Sequence, residues 1–369
     1  MKKILHIQVL PKLSGVQRIS LEIFKGLSDE EYEKWILFSN TESISKEEKE
    51  YVKQEFSKLN VKVLFSNNLF RNIGLKDLKA FIEIYKLCRK EKFDIVHTHS
   101  TKPGIIGRIA AKLACVPLVI HTVHGLAFHD FVGFPKWQFY WVCEMFASCF
   151  CDKIILVNKF YYKYFKWFKN KTRTIYNGID YTLYPLFSQK KKKKGIRALF
   201  IGRLDIPKDP QTLLLAAKSV LQKRRDVYFT IVGDGEKFEE CKNFIEQERL
   251  SDFITLTGWR NDVADFYATH DIFITTSIYE SFGIVFLEAG YYKLPVVATN
   301  VEGIPEVVVN GQTGLLSDPR DVEKISSNLE TLIEDEILRD RMGQAAYERV
   351  TTLFSLRNMV KGYLEIYNS

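Results

Sequence analysis

The chain has 369 residues, of which 46% are hydrophobic and 27% charged, and it carries a formal net charge of +8. That length exceeds one ordinary hydrophobic core and suits two domains, and the composition excludes a disordered chain. The positive balance suits an anionic partner, which charge alone leaves open as a nucleotide diphosphate, a nucleic acid or an acidic membrane surface.

The N-terminal run MKKILHIQVL places two lysines before apolar residues, but it is short, contains His6 and Gln8, and leads into a glycine-containing loop without a small-residue cleavage site. A first buried strand is expected there rather than a signal peptide. Apolar runs at Trp35 to Phe38, Val61 to Phe65, Ile95 to Thr98, Val119 to Thr122 and Ile154 to Val157 alternate with helical patterns. Such alternation predicts parallel strands with crossover helices. The pattern breaks between Tyr181 and Gly195, where Pro185, Ser188 and the lysines from Lys190 to Lys194 interrupt it. The lysines read as a solvated run. A first domain over 1–182 and a linker over 183–195 follow.

The alternation restarts with runs at Ala198 to Ile201, Tyr228 to Val232, Phe253 to Leu256, Ile272 to Thr275 and Val296 to Ala298. These predict a second α/β domain over 196–350, with no short-period repeat. Doubly wound sheets bind ligands at the carboxyl ends of their strands, so the chemistry is expected on strand-to-helix loops lining a cleft. Nowhere do about twenty uninterrupted apolar residues occur, the length a membrane-spanning helix needs. Six cysteines without a Cys-x-x-Cys pair read as reduced core residues of a cytosolic protein.

The segment Glu280-Ser-Phe-Gly-Ile-Val-Phe-Leu-Glu288 follows a predicted strand and opens a helix. With the helix starting near Gly283, the amides of Gly283, Ile284 and Val285 would face an anion such as a diphosphate. Glu288, one turn beyond Ile284, is placed to accept from ribose hydroxyls, and Glu280 to reach a donor sugar. Directly after the first strand of the second half comes Gly202-Arg203-Leu204-Asp205-Ile206-Pro207-Lys208-Asp209. Arg203 and Lys208 are the cations that would neutralise a diphosphate and the charge growing on it as its bond to the sugar breaks.

Two glutamates with seven residues between, within ESFGIVFLEAG, resemble the E-x7-E motif of family 4 retaining glycosyltransferases. Gly202-Arg203-Leu204 with Lys208 downstream resembles that family's G-R-L and lysine element. Asn177-Gly178-Ile179-Asp180 looks like its N-G-I-D turn, and Gly311-Gln312-Thr313-Gly314-Leu315-Leu316 like its late glycine segment, read here as a tight turn. Leu256-Thr257-Gly258-Trp259 is similar to the loop lining the nucleobase pocket, which makes Gly258, Trp259 and Arg260 candidate base contacts. Gly15 stands in the family's glycine-rich loop, although Ser14 replaces the first glycine of the usual pair, and His124 before Gly125 matches the histidine that contacts the transferring sugar. The resemblance implies a GT-B fold, two Rossmann-like domains facing across a cleft, with segment 351–369 returning to the first domain. It also implies retention of anomeric configuration, with catalytic roles for His124, Glu280, Arg203 and Lys208, and donor contacts that add Gly15, Gly202, Phe282, Gly283, Ile284, Val285 and Glu288.

The implied donor is a nucleotide sugar, a UDP sugar on the family's habits, used without cofactor or metal. His97-x-His99 would point both rings to one face of a strand without carboxylate or cysteine ligands, and no D-x-D motif occurs. His97, His99 and His121 are expected to be structural, with His99 near the cleft as a candidate for the acceptor site. In the first half, FVGFPKWQFY from Phe131 and KFYYKYFKWFKNKTR from Lys159 interleave aromatic residues with lysines. They suit a lipid headgroup surface and a polyprenyl-diphosphate-linked saccharide acceptor, as in family members that build O-antigen or capsule, working at the inner face of the cytoplasmic membrane. One face of the second stretch is expected to pack as a helix. A nucleic-acid partner would leave the transferase elements unexplained. A catalytically inactive sugar-nucleotide-binding subunit and a GT-B-fold UDP-sugar epimerase are the alternatives.

Overall fold

The computed structural model describes every residue except 14, 42, 71–73, 75, 130, 131 and 185–194. Its contacts divide the chain into two compact units, residues 1–176 with 359–369, and residues 177–358. Most of the expected linker, with its lysines, lies outside the described residues. The division falls earlier than residue 182 because the N-G-I-D turn pairs within the second unit: Ile179 N–H donates to the Phe354 carbonyl at 3.2 Å, and Leu356 N–H to the Ile179 carbonyl at 2.9 Å.

The first unit alternates β1 (Lys2–Ile7), α1 (Gly15–Lys25), β2 (Tyr32–Ser39), α2 (Lys46–Ser57), β3 (Lys62–Ser66), α3 (Lys76–Glu91), β4 (Ile95–His99), α4 (Thr101–Leu113), β5 (Leu118–Val123), α5 (Lys136–Ser148), β6 (Lys153–Leu156) and β7 (Thr172–Thr174). The second runs through β8 (Ile196–Ile201), α6 (Pro210–Lys223), β9 (Val227–Val232), α7 (Phe238–Gln247), β10 (Ile254–Leu256), α8 (Val263–Thr269), β11 (Ile272–Ile274), α9 (Ile284–Tyr291), β12 (Val296–Thr299), α10 (Ile304–Val307), β13 (Gly314–Ser317), α11 (Val322–Glu334) and α12 (Glu336–Leu353). The last helix, α13 (Leu356–Tyr367), enters the first unit at Met359.

The sheets have strand orders β3-β2-β1-β4-β5-β6-β7 and β10-β9-β8-β11-β12-β13, each the doubly wound order the alternation implied. Their central strands are buried on both faces, which explains why the sequence runs are continuously apolar instead of alternating. In each sheet the chain changes winding direction between the first strand and the fourth, β1 beside β4 and β8 beside β11. Loops leaving those two strands run to opposite sides and leave a crevice at their carboxyl ends.

Three features depart from the sequence expectations. Short edge strands β7 and β13 lack the long apolar runs of the others. The late glycine segment is therefore a turn and a strand together: Gly311 N–H donates to the Gly314 carbonyl at 2.8 Å, and Gly314 then opens β13 beside Val296 of β12. The aromatic stretch after β6 forms two 3₁₀ turns, Phe160–Lys163 and Lys166–Lys171, instead of an α-helix. Asn158 Oδ1 caps the first turn through Tyr161 N–H at 2.9 Å, and burial of Tyr161 and Phe165 fixes the path of the chain. Among the described residues no helix is long and apolar enough to cross a membrane. All six cysteines are free thiols, but only Cys88, Cys151 and Cys241 lie in the core as expected, while Cys115 and Cys149 are exposed because they sit in the turns that end α4 and α5.

Among the described residues, the Arg108–Glu144 ion pair is fully internal to the first unit. Arg108 of α4 donates from Nη1 to Glu144 Oε1 of α5 at 2.8 Å, and from Nε to the Gly104 carbonyl at 2.8 Å. Both side chains are shielded from solvent. A buried pair gains little over an apolar substitute, but removing one partner strands the other charge. Glu144→Ala is expected to destabilise the protein by about 3–5 kcal/mol in urea unfolding, whereas a loss under about 1 kcal/mol, the usual yield of a solvent-screened pair, would show that this pair is not desolvated in solution.

Candidate active site

In the second unit the loops leaving β8 and β11 are stitched across the point where the winding reverses. Thr276 Oγ1 donates to the carbonyls of Lys208 at 3.1 Å and Asp209 at 2.8 Å, and Ile278 N–H donates to the Pro207 carbonyl at 2.9 Å. Asp205 caps the short turn 206–208 by accepting from Lys208 N–H. Asp209 then takes a left-handed conformation, φ 46°, immediately before Pro210 starts α6. These bonds aim Lys208 at Glu280, and the ammonium and carboxylate form a direct ion pair. Glu280 Oε1 also accepts from Phe282 N–H at 3.3 Å. Arg203 is mostly exposed and paired with Asp205 at 2.8 Å.

Helix α9 starts at Ile284, with Gly283 at its N-cap and no side chain capping its first turn. Gly283 has φ +77°, and a Cβ there would lie 2.4 Å from the Phe286 ring, so no other residue fits without strain. The amides of Ile284 and Val285 head this helix beside the Lys208–Glu280 pair. A cation, a helix N-terminus and a carboxylate thus meet in one place, suited to holding a diphosphate and a polar group next to it.

The other expected residues have different surroundings. Glu288 is buried: Oε1 accepts from Tyr184 OH at 2.7 Å and Oε2 from Tyr267 OH at 2.8 Å, so a ribose hydroxyl would have to share those oxygens. The Phe282 side chain is buried and packs edge-on against Phe354, leaving its backbone for the site. Gly202 follows β8 and continues the ladder through its N–H to the Val232 carbonyl at 3.0 Å. Gly258 lies after β10 with open space around it and φ +72°. Trp259 is exposed, and Arg260 is exposed in a two-bond pair with Asp262. Gly15 is the exposed first residue of α1, again with open space where a side chain would be.

In the first unit the expected histidine lies at the edge of a larger group. His124 follows β5 and faces His99 at the end of β4, with its Nε2 3.0 Å from His99 Nδ1. His97 and His99 do share one face, their rings 4.1 Å apart, and His6 of β1 joins them. Burial drives His6, His97 and His99 well below the ordinary imidazole value and holds His124 down to about 3. The rings are therefore neutral. Donor atoms of His6, His97 and His99 lie within 4.8 Å of one another, a spacing a metal ion could use. Each of those nitrogens already faces a hydroxyl or another imidazole, and among the described residues no carboxylate or thiolate joins the group. His121 is on the opposite face, against Thr98 Oγ1 at 2.9 Å. Ser100, which follows His99, holds φ +66° in a residue with a side chain, a local strain of the kind found at functional sites.

Residues 13–183 match the model of Glycosyltransferase Family 4, and residues 186–349 that of Glycosyl transferases group 1. Over 387 aligned positions the chain is 33% identical to the UDP-Gal:alpha-D-GlcNAc-diphosphoundecaprenol alpha-1,3-galactosyltransferase of Escherichia coli, covering 99% of this chain and 96% of that one. The chain is a family 4 glycosyltransferase. It is also 30% identical to the capsular polysaccharide biosynthesis glycosyltransferase CapM of Staphylococcus aureus, over 81% of this chain and 83% of the relative. Among solved structures, HepE of Anabaena in complex with UDP and glucose superposes with a TM-score of 0.83 at 20% identity, covering all of both chains. A glycosyltransferase from Rickettsia africae does so at 0.80 and 23%, covering 100% of this chain and 98% of that one. The glycosyltransferase therefore has the GT-B architecture of two Rossmann-like domains.

Sequence reasoning passed over the loop Gly233-Asp234-Gly235 after β9. A Cβ on Gly233 would lie 1.8 Å from the Gly202 carbonyl oxygen, so this glycine is what lets the loop lie against the one carrying Arg203. Two glycines straddling an aspartate directly after an apolar run were a readable signal. Tyr184 and Tyr267, which hold Glu288, gave none, because their partner is distant in sequence.

Lys208→Ala and Glu280→Gln are each expected to lower transfer by at least about 100-fold while leaving the thermal midpoint nearly unchanged, since a partly exposed pair contributes little to stability. Normal turnover in either variant would remove that residue from the site. The neutral imidazoles make a separate prediction about acid. Their folded values lie below the unfolded 6.5, so the stability they confer is complete above about pH 6.5 and is lost as pH falls beneath it. The melting temperature should hold steady between about pH 7 and 8 and drop steeply between about 6.5 and 5; a flat profile would mean that these rings are not desolvated.

Proposed function

We propose that this glycosyltransferase moves a hexose or N-acetylhexosamine from a UDP sugar to a saccharide carried on a polyprenyl diphosphate, with retention of configuration, during surface polysaccharide assembly. The observation that carries the reading is the Lys208–Glu280 pair at the head of α9, within reach of the β8 loop that bears Arg203. The acceptor class and a UDP donor are supported by the name of the Escherichia coli relative, and a role in surface polysaccharide assembly by that of the Staphylococcus aureus relative.

In this reading the bond from the anomeric carbon to the diphosphate oxygen breaks, and its electron pair leaves with UDP. Lys208, Arg203 and the amides heading α9 stabilise that departing charge, which is where preorganised donors act most strongly. The acceptor oxygen forms the new bond from the same face as the leaving group, and its proton passes to a departing phosphate oxygen. Glu280 orients the sugar, a role we assign to His124 as well. Binding of the diphosphate competes with Glu280 for the Lys208 ammonium, so the carboxylate is released to hydrogen-bond sugar hydroxyls as the donor arrives. Cations and helix amides supply the whole charge stabilisation, and we assign no metal or other cofactor.

The first unit offers a surface for a lipid-linked acceptor. Phe139, Val142 and Phe146 recur at helical spacing on α5 and are exposed, with exposed Phe134 before the helix and Trp167 beside Trp141 at 5.5 Å. Lys136, Lys166 and Lys169 accompany them in sequence. An exposed apolar stripe with lysines at its border suits the headgroup region of an anionic bilayer, and we place the enzyme at the cytoplasmic face of the membrane.

The test is UDP release by the purified enzyme from a panel of UDP, GDP and ADP sugars with EDTA present, with and without a polyprenyl-diphosphate-linked N-acetylglucosamine in phosphatidylglycerol vesicles. Release from one UDP sugar that rises with the lipid-linked acceptor is expected, together with sedimentation on the vesicles that Phe139→Ser with Phe146→Ser weakens at least about tenfold. Nucleotide binding without turnover on any acceptor would instead favour an inactive partner subunit, and loss of activity in EDTA would overturn the metal-independent scheme.

A further inference from the structure

His124 stands at one end of a continuous line of hydrogen-bonding groups that reaches the C-terminal helix. His124 Nε2 faces His99 Nδ1 at 3.0 Å, and His99 Nε2 faces His6 Nδ1 at 3.2 Å, with Ser20 Oγ beside both at 3.3 and 3.0 Å. His6 Nε2 meets Tyr367 OH at 3.1 Å, Tyr367 OH meets His97 Nδ1 at 2.6 Å, and His97 Nε2 meets Thr122 Oγ1 at 2.7 Å. Tyr363 OH, 3.4 Å from Thr122 Oγ1, ends the line. Every member except His124 is buried.

A neutral imidazole has one N–H and one lone pair, and a hydroxyl has one proton to give. Each contact needs one proton between its atoms, and Thr122 or Tyr367 accepting from both neighbours would strand its own enclosed proton, so the line runs one way or the other. If protons point away from His124, His97 donates to Thr122, Thr122 donates to Tyr363, and the Tyr363 phenol is left to place its own proton where it is wholly enclosed. Thr122 is the one partner the described residues offer that phenol. If they point toward His124, Tyr363 donates to Thr122, Thr122 to His97 Nε2, His97 Nδ1 to Tyr367, Tyr367 to His6 Nε2, His6 Nδ1 through or past Ser20 to His99 Nε2, and His99 Nδ1 to His124 Nε2. Only the second order leaves no enclosed proton unpaired, and an unmet donor in such a place is costly.

From this we infer that Tyr363 and Tyr367 of the C-terminal helix are positioning residues: through the imidazole line they fix His124 as the tautomer whose Nε2 accepts and whose Nδ1 presents a proton. The low proton affinity that burial gives His6, His97 and His99 is what keeps the line neutral and hence ordered. His124 Nδ1 has no protein partner among the described residues, so that N–H is available to a substrate oxygen. The consequence for catalysis rests on our assignment of His124 to the transferring sugar; the tautomer does not.

The experiment is ¹⁵N NMR of histidine-labelled full-length enzyme, with UDP release from UDP-galactose, or from whichever UDP sugar the panel selects, measured on the same samples. The wild type is expected to show His124 with a protonated Nδ1 and an unprotonated Nε2. Tyr367→Phe cuts the line between His97 and His6, and should move both His124 nitrogens toward exchange-averaged values while kcat falls roughly tenfold, the weight of one hydrogen-bond preference, with the donor KM changed less. Thr122→Val, nearly isosteric, breaks the line farther away without cutting into the aromatic packing, and should move the same resonances in the same direction by less. A wild-type His124 protonated on Nε2, or His124 shifts unaltered in both variants, overturns the inference. So does a stoichiometric metal ion whose removal changes the His6, His97 and His99 resonances. Shifted tautomers with undiminished kcat would leave the line standing and remove His124 from the sugar instead.

Discussion

Reversal of winding beside β1 and again beside β8 is the constraint from which the rest of this molecule follows. A parallel sheet needs a crossover helix for every strand, and helices filling both faces leave only the strand ends for function. Where successive crossovers go to opposite faces, the two loops separate and the backbone at the strand ends is uncovered. The second unit uses that gap for Lys208 and Glu280, one on each diverging loop, and stitches the loops together by Thr276 and Ile278. The first uses the equivalent gap for His6 and His99, at or near the ends of β1 and β4. The same topological event thus yields a charged site in one unit and a neutral one in the other.

The difference is set by exposure. Lys208 and Glu280 keep part of their surface in water, so ionised groups persist there at modest cost. The imidazoles are enclosed, and enclosure removes their charge and leaves hydrogen-bond polarity as the only information they carry. Arg108 and Glu144 show the third possibility, in which charge survives full burial because each partner is met directly.

The sequence made most of this legible where function and local pattern coincide. Continuous apolar runs located the core strands because those strands are buried on both faces, and the spacing from Glu280 to Glu288 located α9 because a glycine at its N-cap and the first turn behind it are adjacent in the chain. Edge strands β7 and β13 escaped because three or four residues at a sheet edge need no apolar run. The aromatic stretch after β6 misled in the other direction: its composition suited a helix, and tertiary packing of Tyr161 and Phe165 decided otherwise. Long-range partnerships were invisible. Nothing in the spacing of Tyr367 announced that its hydroxyl lies between His6 and His97, because α13 reaches β1 and β4 only after the chain has passed through the whole second unit.

Glu280 and Glu288 illustrate how little a motif says about the state of its residues. Eight positions apart and borne by the same turn and helix, one carboxylate meets an ammonium at the mouth of the site and the other is held by the hydroxyls of Tyr184 and Tyr267. Burial of the Tyr181 and Tyr267 phenols, and after it Coulomb repulsion from Glu288, raises both, so these hydroxyls stay protonated, and that of Tyr267 donates to Glu288. A carboxylate held by two phenol hydroxyls has its geometry fixed before any ligand arrives. Glu280, by contrast, has a partner that a diphosphate would take away. In the proposed reaction the first glutamate changes partners and the second stays where it is, a division that follows from Glu280 standing on the loop before α9 and Glu288 within the helix.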